Sequence, residues 1–93
     1  MARKLITRSV ASQNQFTDGV TLHGYFNLSI SGTWSATVTL QRSFNSGSTW
    51  FDVGARTQNI EEYGLEPEDS VQYRVGVKSG DFTSGTVVLR LSQ

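Results

Sequence analysis

This chain has no cysteine, one histidine and a single proline in 93 residues, and its formal net charge is zero. Each scarcity excludes something. Without cysteine there is no disulfide staple and no thiolate metal site. A small domain lacking disulfides fits a cytosolic origin better than a secreted one. A neutral chain lacks the cationic surface that displaces counterions from nucleic acid, so no nucleic-acid partner is expected. No apolar run reaches the ~18 residues that span a membrane. The start, Met1 to Arg8, lacks the apolar core of a signal peptide. No stretch carries a helical period over ten or more residues. The length allows one core and no separate catalytic domain.

What is present is alternation. Phe26, Leu28 and Ile30 alternate with Asn27, Ser29 and Ser31. Ser31-Gly32-Thr33 then reads as a break. Trp34, Ala36, Val38 and Leu40 alternate with Ser35, Thr37, Thr39 and Gln41. A period of two places one set on each face of a sheet. Tyr25 to Val53 therefore reads as three successive strands joined by two tight turns. One face is apolar and the other carries hydroxyls and amides, as in an antiparallel sheet with one packed side. Val20 to Gly24 extends the first of these strands, with Gly24 at a bulge. Tyr73, Val75 and Val77, and later Val87, Leu89 and Leu91, repeat the pattern. Seven strand-like runs at short spacing predict an all-β fold, a single antiparallel β-sandwich.

Two segments carry opposite charge. Residues 1–10 contain Arg3, Lys4 and Arg8, three of the eight basic residues. They read as an N-terminal arm or edge strand, with the sandwich domain occupying 11–93. Residues 61–69 contain Glu61, Glu62, Glu66, Glu68 and Asp69, five of the eight acidic residues. With Pro67 among them and no EF-hand spacing, they read as a solvated loop rather than a metal site. His23 has no nucleophile or acid in a recognisable relation to it, and no phosphate-binding glycine motif occurs. Neither an enzyme nor a cofactor nor a small-molecule substrate is expected. Tyr25, Phe44, Tyr63 and Phe82 are candidate exposed aromatics. The residues singled out for partner binding are Arg3, Lys4, Arg8, Phe44, Glu61, Glu62, Tyr63 and Phe82.

Three resemblances sharpen this reading. Ser43-Phe-Asn-Ser-Gly-Ser-Thr-Trp50 resembles the Asp-box hairpin, with Asn45 in place of Asp. Its logic is local: a short polar side chain bonds the turn backbone, Gly47 takes a positive φ, and Trp50 covers the hairpin. Leu65-Glu-Pro-Glu-Asp-Ser-Val-Gln-Tyr-Arg-Val-Gly-Val77 is similar to the E–F corner and F strand of fibronectin type III domains. That likeness implies an Ig-like sandwich in which the Tyr73 hydroxyl bonds upstream backbone. Phe26 to Trp50 and Tyr73 to Gln93 resemble small structural proteins of tailed bacteriophages. This implies a virion protein, present in many copies, that decorates or cements the capsid by binding the major capsid protein. A tail or head–tail component and a carbohydrate-binding module are the alternatives.

Overall fold

The structure, a computed structural model, describes residues 4–93. It is all-β and antiparallel, and no helix occurs among the described residues. The strands are β1 (Leu5–Val10), β2 (Gln15–Phe16), β3 (Val20–Ala36), β4 (Val38–Ser43), β5 (Phe51–Arg56), β6 (Ile60–Val77) and β7 (Phe82–Ser92). They form one hydrogen-bonded sheet in the order β1-β7-β3-β6-β4-β5, with β2 on β6.

A single sheet makes a sandwich-like domain because β3 and β6 are long and bend together. The first half of β6, Ile60 to Glu66, pairs with Ile30 to Gly24 of β3. The register then slips, and Val71 to Tyr73 pair with Leu22 to Val20. Pro67 to Ser70 bulge out opposite His23. Gly24 (φ 81°) and Ser70 (φ 63°) take the left-handed conformation at this corner. Bulges let strands leave one layer and enter another. One layer is thus β1, β7, most of β3 and the first half of β6. The other is the second half of β6 with β2, the start of β3, β4 and β5. Phe26, Leu28 and Ile30 of β3, Val87, Leu89 and Leu91 of β7, and Val71, Tyr73, Val75 and Val77 of β6 are buried in one shared core.

Several expectations change. Residues 31–33 do not break the run: β3 continues through Gly32 to Ala36 alongside β7. A Cβ on Gly32 would stand 2.5 Å from the Thr86 carbonyl oxygen, so this glycine permits close strand approach rather than a turn. The crossing to β4 falls at Thr37. The acidic segment 61–69 is not a solvated loop. Glu61 to Glu66 lie within β6, their outer side chains alternating with inner ones. Leu5–Val10 form β1 at the sheet edge, which pairs with β7 among the described residues.

Candidate contact surfaces

Three clusters of side chains define what this surface can do. The first is the hairpin β4–β5. Ser43 Oγ accepts the Gly47 N–H at 2.9 Å, and Asn45 Oδ1 accepts the Thr49 N–H at 2.9 Å. Gly47 has φ 91° and packs under the Trp50 ring. The hairpin holds itself together by side-chain to backbone bonds, as the Asp-box likeness implies. Arg74 lies between the Phe16 and Trp50 rings, 4.2 and 4.4 Å from their centroids. Burial lowers its pKa from the ordinary value. On the opposite face the same hairpin presents Phe44 and Phe51, 50% and 52% exposed, with ring centroids 6.1 Å apart.

The second cluster is buried at the corner. Glu66 is 1% exposed. Its Oε1 accepts the Tyr73 hydroxyl at 2.6 Å and Arg42 Nη1 at 3.1 Å; its Oε2 accepts the Glu68 N–H at 3.0 Å. Burial works to raise the Glu66 pKa, but the Tyr73 and Glu68 hydrogen bonds and the Arg42 charge outweigh it and hold the carboxyl below the usual range. Burial, and then the bond to Glu66, push the Tyr73 hydroxyl up to about 12. The expected Tyr73 bond to upstream backbone is thus replaced by one to a carboxylate. The substitution follows from the bulge at Pro67 to Ser70. The bulge leaves a backbone N–H that a carboxylate on the same turn can satisfy. This cluster fixes the bend between layers. Sequence reading missed it because Arg42 reaches Glu66 from β4, and Tyr73, further along β6, returns to Glu66 only through the bulge.

The third cluster surrounds a groove between the layers, where β5 and the first half of β6 lie side by side without pairing. Phe26, Leu28, Leu40 and Tyr73 form its floor. Val53 and Leu65, 48% and 54% exposed, line its walls. An ion pair from Arg56 Nη2 to Glu62 Oε1, 3.0 Å, bridges the mouth. Tyr63 stands beside it, 74% exposed, 6.0 Å from the Tyr25 ring.

The predicted contact residues divide among these places. Glu61, Glu62 and Tyr63 sit together on β6, where Glu61 accepts the Ser29 hydroxyl at 2.6 Å. Phe44 lies on the hairpin. Phe82 is half-buried and packs on the core beside Ala36, away from the groove. Arg8 lies on β1, and Lys4 immediately precedes that strand, at the far edge of the same layer as Tyr63; Lys4 Nζ donates to the Thr21 carbonyl and Arg8 Nη1 to the Phe16 carbonyl at 2.6 Å. Arg3 lies outside the described residues. His23 is exposed on β3 and faces Asp69 across the bulge at 3.0 Å. Phe51, Val53 and Leu65 were missed as surface groups. Alternation places them on a face without saying whether anything covers it.

Comparison with protein families, curated proteins and solved structures returned no match to this chain.

Proposed function

We propose that this chain is a non-enzymatic virion structural protein, a capsid decoration or cement protein that binds the major capsid protein in many copies. The observation that supports it best is the exposed apolar set at and near one open groove: Val53, Tyr63 and Leu65 in its lining, and Phe44 and Phe51 on the hairpin that carries Val53. Contiguous exposed apolar side chains mark interaction surfaces. On its β5 side the groove ends in a free sheet edge, the kind of edge that adds a partner's strand through backbone hydrogen bonds. The charged groups in the groove, Arg42, Glu66, Arg56 and Glu62, are paired with one another. Their work here is to hold the layers, and the partner is recognised by shape and apolar contact. Sequence style in 26–50 and 73–93 supplies the viral setting. A tail or head–tail location uses the same surface.

The test is sedimentation of purified protein with particles that lack it. Wild type should pellet with the particles. Phe44→Ser and Val53→Ser together should remain in the supernatant while melting normally. Wild type left in the supernatant at saturating concentration, together with its absence from every virion, would end this reading. A carbohydrate-binding module is the second reading, favoured by the exposed Tyr25–Tyr63 pair. It requires glycan binding that Tyr63→Ala abolishes.

A further inference from the structure

Within the first layer the strands run in the order β1-β7-β3-β6, each antiparallel to the next. Four alternating strands leave the two edge strands, β1 and β6, antiparallel to each other. A second copy placed beside the first in the same orientation therefore sets its β1 antiparallel to this copy's β6, which continues the sheet.

The hydrogen-bonding phase of both edges follows from one pair. Lys4 and Gln93 exchange both backbone bonds, at 3.3 and 2.9 Å. In an antiparallel ladder such exchanging pairs alternate with non-bonded ones. Lys4, Ile6, Arg8 and Val10 thus turn their backbone groups toward β7, and Leu5, Thr7 and Ser9 turn theirs outward. Counting across β7 and β3 through the registers Ile6↔Leu91, Leu28↔Leu91 and Leu28↔Glu62, Glu62 bonds toward β3. Glu61, Tyr63 and Leu65 then present their backbone groups to the free edge, where no strand pairs among the described residues. Side-chain faces agree with this phase. Leu5 and Thr7 lie on the same outer face as Tyr63 and Glu61, as the rows Leu5↔Ser92↔Asn27↔Tyr63 and Thr7↔Arg90↔Ser29↔Glu61 show.

We propose that copies of this chain associate head to tail, with β1 of one copy pairing antiparallel with the Glu61–Leu65 edge of β6 in the next. Setting Leu5 opposite Tyr63 and Thr7 opposite Glu61 satisfies the outward backbone groups of both edges. It brings together two exposed apolar side chains, Leu5 at 48% and Tyr63 at 74% exposure. Glu62, which keeps its own Arg56 at 3.0 Å, then falls between Lys4 and Arg8 of the neighbouring copy. Those two cations donate only to backbone carbonyls in their own chain and have no carboxylate partner among the described residues. Because their side chains fold inward, they do not shield the β1 edge as edge lysines ordinarily do. Such a contact uses different patches on the two copies, so it builds a ring if the rotation closes and a filament if it does not. This gives the multi-copy reading above a specific contact between copies.

The absence of native cysteine makes the test clean. Directly opposed residues of a bonded antiparallel pair have Cα atoms about 5.5 Å apart, within disulfide reach. Within one chain, Thr7 and Glu61 are separated by two intervening strands at about 4.8 Å per step, which is out of reach. Thr7→Cys and Glu61→Cys proteins, purified separately and mixed under a glutathione redox buffer, should form the mixed disulfide dimer in at least tenfold excess over Thr7→Cys mixed with Ser48→Cys. The double variant should give a ladder of higher oligomers on a non-reducing gel. Sedimentation velocity of wild type should show concentration-dependent mass growth that Tyr63→Lys suppresses without lowering the melting temperature. No excess of the mixed dimer up to millimolar protein overturns the proposal, as does dominance of Thr7→Cys or Glu61→Cys homodimers. These measurements contain no virus particle. Their failure would leave capsid binding standing, and loss of capsid binding would leave them untouched.

Discussion

Tyr73→Phe removes one oxygen and nothing else. The ring stays against Phe26, with centroids 4.8 Å apart, so no cavity opens. What is lost is a 2.6 Å hydrogen bond to a buried carboxylate. Bonds to charged groups contribute roughly 1.5–3 kcal/mol. Glu66 keeps Arg42 and the Glu68 N–H, so the loss should lie inside that range. For a domain of this size it corresponds to a fall in melting temperature of about 6–24 °C. The titration gives a second handle on the same buried hydroxyl, whose pKa is raised first by burial and then by the bond to Glu66. Tyr73 keeps its proton in the folded state to about pH 12, whereas an unfolded tyrosine loses it near pH ~10. Its contribution is therefore complete below pH ~10 and is lost as pH rises toward 12. That contribution is roughly 2–3 kcal/mol from the displacement of the pKa. Urea unfolding followed by the fluorescence of Trp34 and Trp50, run from pH 8 to 12, should show the wild-type and variant stabilities converging at the alkaline end. A loss below about 0.5 kcal/mol at pH 8, or a gap that stays constant to pH 12, would refute the account of the corner.

Glu66 itself titrates in the opposite sense: its lowered pKa makes its contribution complete above the ordinary carboxylate range and lost on acidification, so Glu66→Gln should flatten the acid limb of stability below pH ~4. Gly76→Ala should destabilise by at least ~1–3 kcal/mol, because its Cβ would lie 2.2 Å from the Gln15 carbonyl and 2.5 Å from the Phe16 Cα, both backbone atoms that no rotamer change can move. Gly47→Val should cost about 1 kcal/mol or more through its positive φ, and added Ca²⁺ should leave the melting temperature unchanged, since the turn is closed by Ser43 and Asn45. Trp34 is half-buried and donates to Asn59 Oδ1 at 2.7 Å; Trp34→Ala should fall short of the ~3–5 kcal/mol of a fully buried ring, as read by chemical denaturation.

Local patterns were sufficient wherever a segment's structure depends on its own residues. Leu5 to Val10, Phe26 to Ile30, Tyr73 to Val77 and Val87 to Leu91 alternate, and each is a strand. Ser43, Asn45 and Gly47 close their turn with side chains a few positions away, so the motif alone specified it. Tertiary structure decided what depends on distant neighbours. Gly32 reads as a turn until β7 lies against it, because a glycine allowing a turn and one allowing close approach look the same in sequence. Glu61, Glu62 and Glu66 read as a solvated run until pairing with Gly24 to Ile30 draws them into a strand. Glu66 is buried only because the bend brings Arg42 to it from β4 and Tyr73 back to it from further along β6, and a charge can be buried only where such partners converge. Which edges stay open follows from strand order, a long-range property that alternation within a strand does not encode.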